Sequence, residues 1–522
     1  MPCTTLLVGK AASYDGSTIV ARNEDAPSGQ FTAKRFAVVL PADQPRRYRS
    51  VLSHVEVELP DDPMPYTSLP NALDDEGVWG EAGVNTANVS MSATETLTTN
   101  ERVLGADPLV ELVAAHGAQG DPDYRPETPG GIGEEDMLTL VLPYVRTARE
   151  GVRRLGELLE RYGTYEMNGI AFSDADEIWW LETVGGHHWI ARRVPDDAYV
   201  VMPNQLGIDS FDLEDAYGEQ RDHMCSPDLR PWMSAAHLDL TLDGDARIER
   251  AASGVVFNPR HAFGSASDAD HVYNTPRSWA IQRFLNPHAC DWDASRAGNA
   301  SGSQLGPESD DIPWARRPER KVTIEDVKYA LSLHYQGTPF DPYATHGDPA
   351  LRDMYRPIGI NRNCELSVVQ LRPYVPAALS AVQWVALGCN AYNALVPLYA
   401  NVRRAPEYLA NTGERVTTDS FYWANRLIAS MADAHYNLCI PHVERYQLKV
   451  GGIGRALLAR TDGALRQATA DAPVEDDAIA ERLAAANDEM CAELRAQTDK
   501  LLGEVLYTAS CQMRNGFARS DG

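Results

Sequence analysis

Cys3 is the residue from which chemistry can be argued first. It stands in Met1-Pro2-Cys3-Thr4-Thr5, two residues behind the start of the sequence. An amino-terminal cysteine is a nucleophile and a base on one residue. The reference pKa values are about 8.5 for the thiol and roughly 7.7–8.0 for an α-amino group. If Met1-Pro2 is removed, the freed amine can take the thiol proton, directly or through a water, with no histidine required. The plain alternative for Cys3 is a small buried residue that opens a strand.

Other familiar chemistries are missing. The sequence holds no HExxH, no GxSxG, no GxxxxGK[ST], and no GxGxxG after a strand. Gly451-Gly452-Ile453-Gly454 reads as a loop or helix start. His187 and His188 are adjacent, so on a strand they face opposite ways and do not easily share a metal. Asn88-Val89-Ser90 and Asn299-Ala300-Ser301 match the glycosylation triplet, which is empty without secretion. The eight cysteines are scattered with no CxxC pair, as expected of free thiols.

The chain of 522 residues is 44% hydrophobic, ample for a sizeable core. Its 47 Lys and Arg against 74 Asp and Glu give a net charge of −27. Such a field repels polyanions and argues against nucleic acid and anionic membranes as partners. The opening residues show no basic n-region and no long apolar stretch, and the apolar region 374–399 is broken by Pro376, Gln383, Asn390 and Pro397. A cytoplasmic chain is the expectation. Oligomeric state is not fixed by the sequence, and a homo-oligomer stays open.

The elements that must position Cys3 read as strands. Thr4–Val8 and Ser17–Ala21 flank Asp15-Gly16 and predict a hairpin; 35–40 and 84–91 are further strand candidates. A helix is predicted over 135–149, kinked or divided by Pro143, and a second over 152–162, ended by Gly163. Strands follow at 169–173, 177–183, 188–192 and 198–202, separated by turn residues, the mark of an antiparallel sheet. Residues 291–311, rich in Ser, Gly, Asn and Asp, read as a mobile surface insertion. Thr323 to Asp326 has capping-box spacing and predicts a helix through His334. Late strands are expected at 365–371 and 381–387, with helix from about 401 onward and a packed amphipathic helix over 477–507. The pattern predicts an α+β fold, helices layered over antiparallel sheet.

Several segments resemble, in order, the dipeptidase A family of cysteine-type N-terminal-nucleophile hydrolases. That family is grouped with the secernins and related to penicillin V acylase and bile salt hydrolase. The matching segments are Met1-Pro2-Cys3-Thr4-Thr5, Asp15-Gly16-Ser17-Thr18 and Ala21-Arg22-Asn23-Glu24-Asp25. Glu81 to Asn88, Val201-Met202-Pro203-Asn204 and Tyr273 to Trp279 continue the series. The resemblance implies a four-layer αββα fold over residues 3–400, a helix-rich region over 401–522, and loss of a propeptide, residues 1–2, by self-processing. Methionine aminopeptidase stops at Pro2, so cleavage before Cys3 needs that separate step.

The resemblance also implies site roles. Cys3 is the nucleophile and Asp25 orients its α-ammonium. Arg22 and Arg277 supply positive charge near the sulfur. Asn88 belongs to the oxyanion hole, and Asn204 orders the amine or the substrate. It implies a dipeptidase acting on small dipeptides through a thioester, with no metal or organic cofactor. The alternatives within the resemblance are a non-peptide amidase of the acylase or bile-salt type and a non-catalytic, secernin-like interaction protein.

Overall fold

A computed structural model describes residues 3–73, 77–240, 257–292, 304–471 and 475–514. The residues of the expected leader, Met1 and Pro2, and the 293–303 part of the expected insertion lie outside them, as does Asn299-Ala300-Ser301. The described flanks of that insertion are packed, with Trp292 and Leu305 buried.

The fold is mixed helix and antiparallel sheet. The first strand, β1 (Cys3–Val8), turns through Asp15-Gly16 into the second, β2 (Thr18–Asp25). Gly16 takes φ +85°, and the Ser17 N–H donates to Asp15 Oδ1 at 3.1 Å, so the turn chemistry read from Asp15-Gly16 is realised. This pair is the centre of a seven-stranded sheet. The strands run, in spatial order, Ala315–Arg316, Tyr199–Met202, β1, β2, Asn363–Leu371, Ala381–Leu387 and Val396–Tyr399. A six-stranded sheet has the order His223–Cys225, His188–Arg193, Ile178–Val184, Asn168–Ser173, Ser90–Thr96 and Ala82–Val84.

Three apolar clusters show how the layers stack. Leu7 and Val20 meet Ala171, Trp180 and Ile190 between the two sheets. Leu6, Val8, Ile19 and Ala21, the alternate residues of the same strands, face helices on the outer side of the first sheet. Trp179 and Leu181 of the second sheet face Val152, Leu155 and Leu159 of the helix Ala148–Tyr162. Both faces of each sheet are therefore buried, which is why the central strands are almost continuously apolar.

Several sequence expectations are met closely. Pro143 ends the helix Glu134–Val141, and Gly163 at φ +69° ends the helix Ala148–Tyr162. Thr323 closes a capping box with Asp326, although the helix stops at Ala330 rather than His334. There the Ile358 and Gly359 N–H groups take the Leu333 carbonyl, fixing the chain in a non-helical path.

Three differences matter more. The 84–91 stretch is not one strand but the turn of a hairpin, because the Asn85 side chain accepts from the Ala87 and Val89 N–H groups. Tyr199–Met202 leaves its sequence neighbours and pairs with β1 in the other sheet. The helices Phe421–Ala434, Tyr436–Asp471 and Asp476–Cys511 share one core with the seven-stranded sheet, so packing is continuous across residue 400. No helix among the described residues is long and apolar enough to cross a membrane. All eight cysteines are free.

Candidate active site

The register of the hairpin sets the site. Cys3 stands opposite Glu24, which stands opposite Glu365 on the next strand; Thr5 stands opposite Arg22, and Arg22 opposite Ser367. Side chains paired across a sheet share a face, so Cys3, Glu24, Glu365 and Arg22 all point into the space between the sheets. A slip of one residue would turn every one of them to the other face. Asn23 and Asp25 take that other face.

Arg22 is fully buried and forked. One terminal nitrogen, Nη2, lies 2.8 Å from Cys3 Sγ and 2.7 Å from Glu134 Oε1, while Nη1 donates to Glu81. Lys34, also fully buried, binds Glu24 at 2.6 Å and Glu81 at 3.3 Å. Burial works against the Arg22 charge. Cys3, Glu81, Glu134 and Glu24 nevertheless hold its pKa well above the ordinary value. Burial alone would push Glu81 up, but Lys34 and Arg22 win and hold it low. Glu81 also adopts φ +60° in a buried position, a left-handed backbone that an ordinary residue keeps only when its surroundings dictate it.

The backbone of Cys3 is held from the opposite side. Its N–H donates to Asn204 Oδ1 at 3.2 Å. Asn204 is placed there because Tyr199–Met202 pairs with β1 and Pro203 then ends the ladder. Arg277, in the first turn of the helix Thr275–Leu285, donates to the Cys3 carbonyl, to Thr4 Oγ1 at 2.8 Å and to Asn204 Oδ1 at 2.8 Å. Asn204 Nδ2 donates to the Thr96 carbonyl at 2.9 Å, so the amide orientation follows from its network.

The structure thus brings together Cys3, Arg22, Asn204 and Arg277. Arg277 reaches the Cys3 carbonyl and the asparagine, where the expectation placed it near the sulfur. Asp25 lies at the same end of the sheet, but its carboxylate accepts from Arg356 and Asn363.

Asn88 is not brought to this end, and the oxyanion assignment is corrected. At φ +59° in the hairpin turn, it donates to the Ala377 carbonyl at 3.0 Å and accepts from Asn401 at 3.1 Å. Ala377 lies in the connection after Leu371, which pairs with Thr18, whereas Glu365 pairs with Glu24 beside Cys3. Six residues of strand at about 3.4 Å each separate the two levels, roughly 20 Å.

Sequence reasoning missed Glu81, Glu134, Lys34, Glu24, Glu365, Arg356 and Asn363. The available signal was charge inside otherwise apolar strands, as in Thr18–Asp25 and Asn363–Leu371.

The buried acids make stability depend on pH. Burial and Glu81 push Glu24 up to about 7; burial and Glu135 do the same to Asp136, and burial does so to Glu182. Glu365 stands well above its ordinary value of 4.5 through burial. Between the unfolded values near 4 and about 7, the unfolded chain has released these protons and the folded chain has not. Stability therefore falls as pH rises through that window. Asp107, held at about 2 with its two histidine neighbours, contributes in full across the window and is lost only in stronger acid. The thermal midpoint is expected to be higher at about pH 5.5 than at about pH 8; scanning calorimetry showing the reverse order contradicts this account.

Comparison with known proteins adds relatives over the full length. A protein named dipeptidase from Bifidobacterium longum (strain NCC 2705) is 57% identical, with 100% of each chain covered. A probable dipeptidase A from Streptococcus pyogenes serotype M3 is 49% identical, again over 100% of each chain. A dipeptidase A from Lactobacillus helveticus is 40% identical, covering 97% of this chain and 96% of its own. A buried thiol with a guanidinium at its sulfur, on a chain that aligns end to end with such proteins, defines the class: this is a peptidase. The family model described as Peptidase family C69 matches residues 2–449, and the chain belongs to that family.

Proposed function

We propose that the protein is a cysteine-type N-terminal-nucleophile dipeptidase with the four-layer fold of that class. It hydrolyses small dipeptides through a thioester on Cys3. One observation carries the proposal: the sulfur and the backbone nitrogen of Cys3 are each met by a buried polar partner, Arg22 Nη2 at 2.8 Å and Asn204 Oδ1 at 3.2 Å. A merely structural cysteine at the start of a strand needs neither. The names of the relatives support the dipeptide substrate.

Maturation comes first. The Cys3 thiol attacks the Pro2 carbonyl, and water releases Met1-Pro2, leaving a free α-amine on Cys3. In turnover that amine takes the thiol proton and the sulfur attacks the carbonyl carbon of the peptide bond. Arg22 favours the thiolate by its charge. The Asn204 amide and backbone N–H groups stabilise the oxyanion, each donor of this kind being worth about 3–4 kcal/mol of barrier. The ammonium then protonates the leaving amine, the C–N bond breaks, and water hydrolyses the thioester with the α-amine again as base. Arg277 holds Asn204 and the Cys3 carbonyl in place. Asp25, held by Arg356 and Asn363, fixes negative charge at this end of the sheet in support of the ammonium.

Intact mass of fully active protein tests the reading. A chain that begins at Cys3 is expected. Full activity in a chain that still begins at Met1 or Pro2 rules the mechanism out.

A further inference from the structure

On the far side of the seven-stranded sheet from the thiol lies a cleft of ≈ 320 Å³ between the helices Ile324–Ala330 and Tyr436–Asp471. We propose that it is a second, non-catalytic site for a free α-amino acid with an apolar side chain. The floor is Trp384, which points to the outer face of its strand, and Leu395 and Ile440 continue the apolar surface. That volume is at the lower end of the range for small-molecule sites, which pair apolar walls with a few placed polar groups.

The polar groups here have the signature of a zwitterion's partner. The Lys328 ammonium donates to Ser332 Oγ at 2.9 Å and to the Asn390 carbonyl at 2.6 Å, both neutral acceptors. No carboxylate pairs with it among the described residues, and burial lowers its pKa to about 8. A cation kept from water without a counter-charge gains from an arriving carboxylate. Glu325 does not fill that role, because Arg455 binds it at 2.8 and 3.0 Å. Glu444 also lines the cleft and forms no ion pair among the described residues, so it offers a place for an ammonium. Gln447 donates its amide N–H groups to the Ala391 and Asn393 carbonyls, leaving its Oε1 as a further acceptor. One unpaired cation, one unpaired anion and an aromatic floor select a carboxylate and an amine on a small apolar body.

The site is independent of the reaction proposed above, since Trp384 and Cys3 lie on opposite faces of the sheet. Titration calorimetry of the full-length enzyme with L-phenylalanine tests it, with 2-phenylethylamine as the probe that lacks a carboxylate. Saturable binding is expected, weakened at least about tenfold in both Lys328→Met and Ile440→Trp, with dipeptide turnover unchanged in each variant. The second variant fills the cleft without disturbing a buried charge, so it decides the matter if the first does not fold. Three results overturn the proposal: no saturable binding, binding that survives Ile440→Trp, or 2-phenylethylamine binding as tightly as the amino acid. A change of oligomeric state in Ile440→Trp without any ligand effect also overturns it, making the cleft an interface between copies of the chain.

Discussion

Replacing Cys3 by alanine is expected to remove dipeptide hydrolysis to background, a loss on the order of 10⁴-fold or more, while the protein stays folded. Loss of a nucleophile leaves only the modest acceleration given by binding and oxyanion donors. The fold has little reason to suffer, because the change removes one sulfur atom from a site whose framework is elsewhere. Arg22 keeps Glu81 and Glu134, and Arg277 keeps the residue-3 carbonyl, which belongs to the backbone. The cavity left by one sulfur costs about 1 kcal/mol. The same variant reads out maturation. With no thiol to attack the Pro2 carbonyl, intact mass should show the chain starting at Pro2 or Met1 and none starting at residue 3. Residual hydrolysis near the parent rate, or a normally trimmed alanine variant, refutes the thiol as the agent of both steps.

Much of this site is legible in the sequence because it is built on local geometry. Asp15-Gly16 fixes a turn, the turn fixes the register, and the register places Cys3 beside Glu24 and Arg22. Met202-Pro203-Asn204 likewise ends a strand with a proline and delivers the asparagine. Asn88 fails for the same kind of reason. Residues 84–91 alternate as a strand does, but Asn85 accepts hydrogen bonds from the N–H groups of Ala87 and Val89, and the chain reverses there. That reversal leaves Asn88 at the wrong end of the sheet.

The partners of Arg22 were out of reach for a different reason. Glu81 and Glu134 lie 59 and 112 residues away in the chain and meet the guanidinium only when two sheets and a helix close over it. In sequence, Glu134-Glu135-Asp136 looks like acids favoured by a helix amino terminus. Nothing local distinguishes an acid facing solvent from one buried against a guanidinium. The crossing of Tyr199–Met202 into the first sheet is hidden in the same way, since a strand's sequence does not name its neighbour.

Arg22→Lys is the second variant with a large expected effect, and it separates charge from geometry. A lysine preserves the charge but offers a single ammonium in place of a fork, so it cannot serve Glu81, Glu134 and Cys3 Sγ together. We expect kcat/KM to fall by about 10²–10³, almost entirely in kcat, because the lost contact is to the attacking atom and not to substrate. The pH at which iodoacetamide alkylates Cys3 at half its maximal rate should rise, since less positive charge stands at the sulfur. Stability should also fall. A carboxylate left unpaired inside a protein costs about 3–5 kcal/mol, and here Lys34 can absorb only Glu81, leaving Glu134 exposed to that penalty. Adding Glu134→Gln to the Arg22→Lys variant then supplies the decisive comparison. Removing the stranded charge should recover the thermal midpoint without recovering kcat, because the fork on the sulfur is still missing. If the alkylation profile of Arg22→Lys instead overlays that of the parent, the guanidinium is a structural ion pair and has no part in activating the thiol.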